Sequence, residues 1–319
     1  MIKVSICVVT YNQEKYIKRC LQSLLEQKTD FHYEVIVGDD CSTDKTREII
    51  EEFTKEYPNI FRSILHKKNV GFYGAGNYRA VHFSATGEYI AHIDGDDYWH
   101  PNKLQVQVNF MENNRDIAAV YTNAIVESDS GKYLGVFASG VKNKFNLQYL
   151  IEFRNFLPAS SMLYRQKIQN LIIPKNGEFV DFQIHINIAQ QGKIGFIDNN
   201  LLSYTYRSTT SLLANNNLRI RQLTWEALCG ISPHNIETRN INIVKVVFIF
   251  ESIFIGVLNR SLYDIKSWFI ILLKILNNLS SKEKILILMG ALRNIFIKLF
   301  FRIQTKFVLK NNDHIFYMR

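Results

Sequence analysis

The stretch Tyr89-Ile90-Ala91-His92-Ile93-Asp94-Gly95-Asp96-Asp97 decides how this chain folds. An apolar run rich in β-branched and aromatic residues closes on three carboxylates in four positions, with Trp99 and Pro101 just beyond. Such a run reads as a buried strand, so the acidic cluster marks where the strand ends and the sheet edge meets solvent. Like charges this close repel unless a cation or hydrogen-bond donors neutralise them. Mg²⁺ and Mn²⁺ take carboxylate oxygens and often share them with substrate phosphates. An acidic turn capping a helix at Pro101 would be spelled the same way, and the choice rests on the rest of the chain.

Upstream, strands and helices alternate. Residues 4–9 read as a strand. Residues 13–26 place Ile17, Cys20, Leu21, Leu24 and Leu25 on one helical face. A second strand at 33–37 runs into Gly38-Asp39-Asp40-Cys41-Ser42-Thr43-Asp44. The next helix carries Ile49, Ile50, Phe53 and Tyr57, is capped by Ser42, Thr43 or Asp44, and stops at Pro58. A short strand at 62–66 and a helix at 77–85, closed by Gly87, complete the approach to the acidic strand. Repeats of this kind specify a mostly parallel sheet covered by helices, with ligands beyond the carboxyl ends of its strands. Thr10-Tyr11-Asn12, Asp39-Asp40 and Asp94 to Asp97 all fall at that edge, which suggests one metal–nucleotide pocket.

Downstream, residues 118–127 read as a strand, Asp129-Ser130-Gly131-Lys132 as a hairpin turn, 147–153 and 179–191 as helices, and 195–206 as a final strand. From Ile241 the character changes. Helical stretches at 243–258, 268–276 and 285–303 are apolar but broken by Lys245, Glu251, Lys274, Arg293 and Lys298. By this reading none is a clean span of ~20 apolar residues. Basic residues among Phe, Ile, Leu and Trp fit helices lying in a membrane interface; a helical bundle or an oligomer contact has the same pattern.

Of the net charge of +9, the last 79 residues supply most, with 12 Lys and Arg against 4 Asp and Glu. The remainder is nearly neutral, which argues against a nucleic-acid-binding catalytic face and places any anionic partner at the tail. An apolar fraction of 47% over 319 residues excludes wholesale disorder. Cys7, Cys20, Cys41 and Cys229 show no CxxC spacing. No disulfide framework is expected, and a reducing, cytoplasmic compartment fits. The N terminus runs straight into a strand, so no signal peptide is expected. His92, His100 and His185 lack a shared metal spacing and read as packing or surface residues, with His185 on the helix face of Asp181.

The ordered motifs Val4 to Asn12, Val35 to Asp44, Gly87 to Ile90 and Asp94 to Asp97 resemble family 2 glycosyltransferases over roughly residues 2–210. The resemblance implies an α/β fold of the GT-A, Rossmann-like kind, with a mostly parallel sheet flanked by helices. It also implies a nucleotide-sugar donor, a divalent metal (Mn²⁺ or Mg²⁺) and inversion at the anomeric carbon. Thr10, Tyr11 and Asn12 would line the nucleotide pocket, with Tyr11 against uracil. One of Asp39 and Asp40, with Asp40 preferred, would accept the uracil N3–H while the other caps a helix. Asp94 and Asp96 would form the metal pair, Asp94 reaching metal or ribose. Asp97 would support them or cap the next helix. Asp181 matches the general base, although Val180 replaces the usual Glu before it. Asn77 and Gly71 fit the family's donor loop, which here has Gly76 where relatives carry Arg; Arg79 either replaces that charge or is a surface residue. Tyr206-Arg207 resembles a closing Tyr-Arg whose Arg contacts the diphosphate. Residues 157–161 are expected to face acceptor or sugar.

The sequence therefore predicts a catalytic domain over residues 1–215 and a helical, basic and apolar C-terminal region over 216–319. It predicts an enzyme moving sugar from UDP to a glycan hydroxyl, with a lipid-linked or oligosaccharide acceptor, at the inner face of the cytoplasmic membrane in bacterial surface polysaccharide assembly. No nucleic-acid partner is expected, and self-association through the tail is open. A nucleotidyltransferase would need a Gly-rich basic loop after the first strand, which Thr10 to Glu14 lacks. A non-catalytic scaffold would be marked by loss of the carboxylates, and they are present.

Overall fold

Every residue of β1 (Val4–Thr10) except Val9 is buried, as a central parallel strand covered on both faces requires. The computed structural model describes residues 2–71, 74–154, 156–206, 217–234, 236–258, 261–277, 279–292 and 314–318. After β1 come α1 (Ile17–Leu25), β2 (Tyr33–Asp39), α2 (Thr46–Glu56), β3 (Phe61–Leu65), α3 (Ala75–Phe83) and β4 (Tyr89–Asp94). α1 buries Ile17, Cys20, Leu21 and Leu24, the i, i+3, i+4, i+7 stripe that the spacing predicts. β3, β2, β1 and β4 lie side by side and parallel. α3 starts two residues earlier than predicted and lies so close to β2 that a Cβ on Gly38 would meet Val81 Cγ2 at 2.2 Å.

The second half of the sheet is mixed. It contains β5 (Tyr98–Trp99), α4 (Lys103–Glu112), β6 (Ile117–Glu127), β7 (Tyr133–Ser139), β8 (Lys144–Phe145) and α5 (Leu147–Phe153). There follow β9 (Leu163–Arg165), α6 (Gln169–Ile172), α7 (Asp181–Gln191) and β10 (Lys193–Thr205). β6 and β7 form the hairpin predicted at Asp129-Ser130-Gly131-Lys132. β9 runs antiparallel between β4 and β6, and β10 pairs parallel with β6. Ile117 to Ala124 are all buried, so β6 continues the core.

The tail comprises α8 (Asn217–Cys229), α9 (Thr238–Leu258), α10 (Leu262–Asn277) and a helical stretch at 281–292. The chain also returns to the sheet with β11 (His314–Met318), parallel to β7, so the strand ending near 206 is not the last. α9 begins earlier than predicted, and Thr238–Val257 is long and apolar enough to cross a membrane. The expectation that no segment qualifies is thereby revised, because the added first turn lengthens the window around Lys245 and Glu251. Half of that window is nevertheless buried in the protein. Glu251 pairs with Arg154 after α5 at 2.6 Å, and Arg221 of α8 donates to Ser252 at 2.7 Å. Trp225, Phe248 and Trp268 join α8, α9 and α10, with ring centroids 5.6 to 6.2 Å apart.

Candidate active site

The register brings the polar motifs level. Thr10 lies opposite Asp39, and Val9 opposite Asp94, so β1, β2 and β4 end together. Beyond them the chain turns through left-handed Asn12 (φ 53°) and Cys41 (φ 63°), a conformation in which Asn is favoured among non-glycine residues. The two turns are stitched together: Asn12 N–H donates to Ser42 Oγ at 2.9 Å, and Thr43 N–H donates to Asn12 Oδ1 at 2.8 Å. Thr10 Oγ1 donates to Gln13 Oε1 at 2.7 Å. Tyr11 stands out from this rigid base with 43% of its surface exposed, a flat face available to a flat partner.

The remaining candidates divide by what their atoms already do. Asp39 is fully buried; its Oδ2 accepts Arg47 Nε at 3.0 Å and Nη2 at 2.7 Å. It holds the loop. Asp40 Oδ1 accepts Val70 N–H at 2.7 Å and Asn69 Nδ2 donates to the Asp40 carbonyl at 3.2 Å, so the loop after β3 closes on it. Asn77 is buried, with Nδ2 donating to the Gly38 carbonyl at 2.8 Å and Oδ1 3.2 Å from His66 Nε2. It lies beneath the strand ends and ties them together. Arg79 neither replaces a ligand charge nor floats in solvent: Nε donates to the Pro174 carbonyl at 2.7 Å, and Nη2 to that of Gly177. Arg207 lies outside the described residues.

At the acidic cluster, Asp94 is half-exposed and gripped from both sides. His92 Nε2 is 3.3 Å from Oδ1; Ser160 Oγ is 3.4 Å from Oδ2 and accepts Asp94 N–H at 3.1 Å. Asp96 is partly exposed, and its carbonyl accepts Thr205 Oγ1 at 2.6 Å. Asp97 is buried and accepts Thr205 N–H at 2.8 Å. It does not cap α4, whose N-cap is Asn102. Burial, reinforced by Asp96 and Asp94, pushes the Asp97 carboxyl well above its usual range. Among the described residues no group of three or more His, Cys, Asp or Glu could hold a metal by itself. The carboxylates of Asp94 and Asp96 are hard oxygen donors of the kind a Mg²⁺ or Mn²⁺ ion would take.

Asp181 is the first residue of α7, with Val180 in the N-cap position, so the carboxylate is not spent as the cap. Solvent reaches it, although the neighbouring protein still desolvates its carboxyl. That desolvation, and then the charge of Asp94, push its carboxyl up to about 6 against the opposing pull of His92. The Tyr78 and Tyr121 hydroxyls are within electrostatic range of it, buried and without a hydrogen-bond partner among the described residues. Phe179 and Glu178, just upstream, are held by Arg79 over the ring at 5.3 Å and by Arg219 of α8 at 2.6 Å. His185 is buried against Tyr121, and burial lowers it to about 3, so it packs as a neutral ring. His100 reaches Ser203 Oγ at 3.1 Å.

A level strand edge, an exposed aromatic over a braced loop, and a raised carboxyl within electrostatic range of Asp94 make up the candidate site. The family model described as Glycosyl transferase family 2 matches residues 5–171. The chain belongs to glycosyl transferase family 2. WfaP of Escherichia coli, a UDP-Glc:alpha-D-GlcNAc-diphosphoundecaprenol beta-1,3-glucosyltransferase, is 30% identical over 73% of this chain and 88% of its own length. An uncharacterized protein of Mycobacterium tuberculosis is 33% identical over 63% of this chain, and the match spans 58% of that relative's length. Residues 1–349 of Staphylococcus aureus TarS, solved in complex with UDP-GlcNAc, superpose with a TM-score of 0.64 at 19% identity, covering 92% of this chain and 89% of TarS 1–349. The family's GT-A fold is therefore present here. Ser160, His82, His92 and Arg47, which shape this site, are not singled out as functional by spacing. His92 carried the one visible sign, a polar ring inside an apolar strand.

Proposed function

We propose that this family 2 glycosyltransferase moves a sugar from a UDP-linked donor to a hydroxyl of a glycan acceptor, with inversion at the anomeric carbon. The observation that carries the reading is Asp181, exposed at the first position of α7 and within electrostatic range of Asp94, with its carboxyl raised to about 6. A carboxylate of that basicity is ionised at neutral pH and accepts a proton more readily than an ordinary Asp. In this reading the acceptor oxygen attacks the anomeric carbon from the face opposite the diphosphate. Its proton passes to Asp181 as the bond to the diphosphate breaks. Tyr11 stacks on the base and Asp40 accepts its N3–H, while Asp39, Asn77, Thr10 and Asn12 hold the loops that present them. Asp94 and Asp96 would hold Mn²⁺ or Mg²⁺, which when bound stabilises negative charge on the leaving diphosphate. Arg207 would reach the same diphosphate.

The acceptor is lipid-linked in this reading, in assembly of a bacterial capsule, O-antigen or exopolysaccharide at the inner face of the cytoplasmic membrane. The name of WfaP supports this, as does the outward face of α10, where Lys266, Phe269, Ile270, Leu273 and Lys274 are exposed together. Calorimetric titration of UDP with and without Mn²⁺, on wild type and Asp96→Ala, tests the donor site. Metal-dependent binding lost in the variant is the expected result. A folded wild type that binds no UDP in either condition would reject the UDP reading, and a GDP titration would then separate another nucleotide from a non-catalytic scaffold.

A further inference from the structure

The grip on Asp94 Oδ1 is the last link of a chain that runs through the core. His92 Nδ1 lies 3.1 Å from His82 Nε2, and His82 Nδ1 lies 2.9 Å from the Tyr164 hydroxyl. All three side chains are buried, and they come from β4, α3 and β9. Gln169 of α6 closes the far end: its Nε2 donates to the His82 carbonyl, and its side chain hydrogen-bonds the Tyr164 hydroxyl. We propose that this Gln169–Tyr164–His82–His92 chain is a one-way relay of hydrogen-bond donors that fixes the Asp94 carboxylate for its work on the diphosphate-bound metal. The inference rests on the donor-site reading above.

The direction follows from counting hydrogens. A carboxylate oxygen only accepts, so the run is fixed from the Asp94 end and leaves the Tyr164 hydroxyl to give its hydrogen to His82 Nδ1. Burial holds the His82 imidazole far below its ordinary pKa, so it is neutral and carries one hydrogen. With Nδ1 accepting, that hydrogen sits on Nε2 and points at His92 Nδ1. His92 in turn must carry its hydrogen on Nε2, facing Asp94 Oδ1. A bare Nε2 there would set a lone pair against a carboxylate. Ser160 holds the other oxygen, which leaves the outer face of the carboxylate for metal or ribose. Partners that orient a metal-binding carboxylate commonly change metal affinity about 10- to 100-fold when removed. His92 is thus a positioning residue, and Tyr164 and His82 act through it.

Long-range ¹H–¹⁵N imidazole correlations on the full-length ¹⁵N-labelled protein, assigned with His82→Gln and His92→Gln, read the tautomers directly. Nε2–H at both rings is expected; Nδ1–H at either overturns the relay. Calorimetry then compares His92→Leu with His92→Gln, whose amide can still donate near the Nε2 position. Mn²⁺-dependent UDP affinity should fall about tenfold in the Leu variant and recover in the Gln variant, with metal-free UDP binding unchanged. Equal loss with and without Mn²⁺, or no loss in the Leu variant, would overturn the role of His92 while leaving the UDP site in place. A wild type without metal-dependent UDP binding would instead overturn the donor-site reading, and the tautomer assignment would be judged by the spectra alone.

Discussion

Asp181 bears two demands that pull in opposite directions. As the proposed base it must ionise at working pH, yet desolvation by the surrounding protein and the charge of Asp94 resist ionisation. Its folded pKa of about 6 lies above the ordinary 3.8. Stability therefore falls as pH rises between those values, and the ionised carboxylate destabilises the fold at neutral pH. Asp181→Asn should lower kcat about a hundredfold or more while keeping UDP affinity. It should also raise the melting temperature at neutral pH, and that gain should vanish below pH ~4, where both states of the wild type are protonated. The acid limb of kcat/KM should fall near pH ~6. Unchanged turnover would remove Asp181 as base; an equal melting temperature at every pH would show that its carboxyl is not raised. Asp94, Asp96 and Asp181 were legible because each interrupts or opens a periodic element. Ser160 was not, since its short turn at Ala159–Ser161 has no pattern that points across space to Asp94. Nor did spacing reveal that Asp39 would be consumed by Arg47.

The alternating first half was readable because its apolar residues keep helical or strand periods over five to eleven positions. β9 has three residues and β5 and β8 two each, too few for any period to register. β9 nonetheless joins the parallel half of the sheet to β6 and supplies Tyr164 to the core. The contact of α3 with β2 was equally hidden, because Gly38 looked like the start of a turn. Its missing side chain is what admits Val81 and Asn77, whose Oδ1 would lie 2.3 Å from an added Cβ. Gly38→Ala should cost about 1–3 kcal/mol by overpacking, read as a lower urea midpoint with unchanged slope. It should also weaken UDP binding, because Asn77 bonds the end of β2 and reaches toward that of β1. Val81→Ala in the same chain should restore part of the stability. Failure of that rescue would place the strain elsewhere than at the helix.

At the scale of the whole molecule, the +8 concentrated after residue 240 meets a surface of unusual make-up. Phe254 and Val257 on α9, Phe269, Ile270 and Leu273 on α10, and Ile285, Met289 and Leu292 beyond it are all exposed. The same helices are tied to the end of α5 by Arg154–Glu251 and to α8 by the Trp225–Phe248–Trp268 cluster. An apolar face interleaved with Lys266 and Lys274 gains from burial in a lipid interface and from anionic headgroups, each lysine contributing about 1 kcal/mol near such a surface. Sedimentation with vesicles should therefore show stronger binding when phosphatidylglycerol is present, weakened by salt. Neutralising both lysines with Lys266→Gln and Lys274→Gln should reduce binding about thirtyfold, from two such contributions. Phe269→Ser with Leu273→Ser should reduce it even on anionic vesicles at low salt, because the apolar part is lost. Binding indifferent to lipid charge and to all four substitutions would remove the membrane as partner. If the same substitutions instead abolished a concentration-dependent dimer in gel filtration, the face would belong to a second copy of the chain. Because Arg219 of α8 holds Glu178, three residues before Asp181, either partner would bear on the segment that leads into the proposed base.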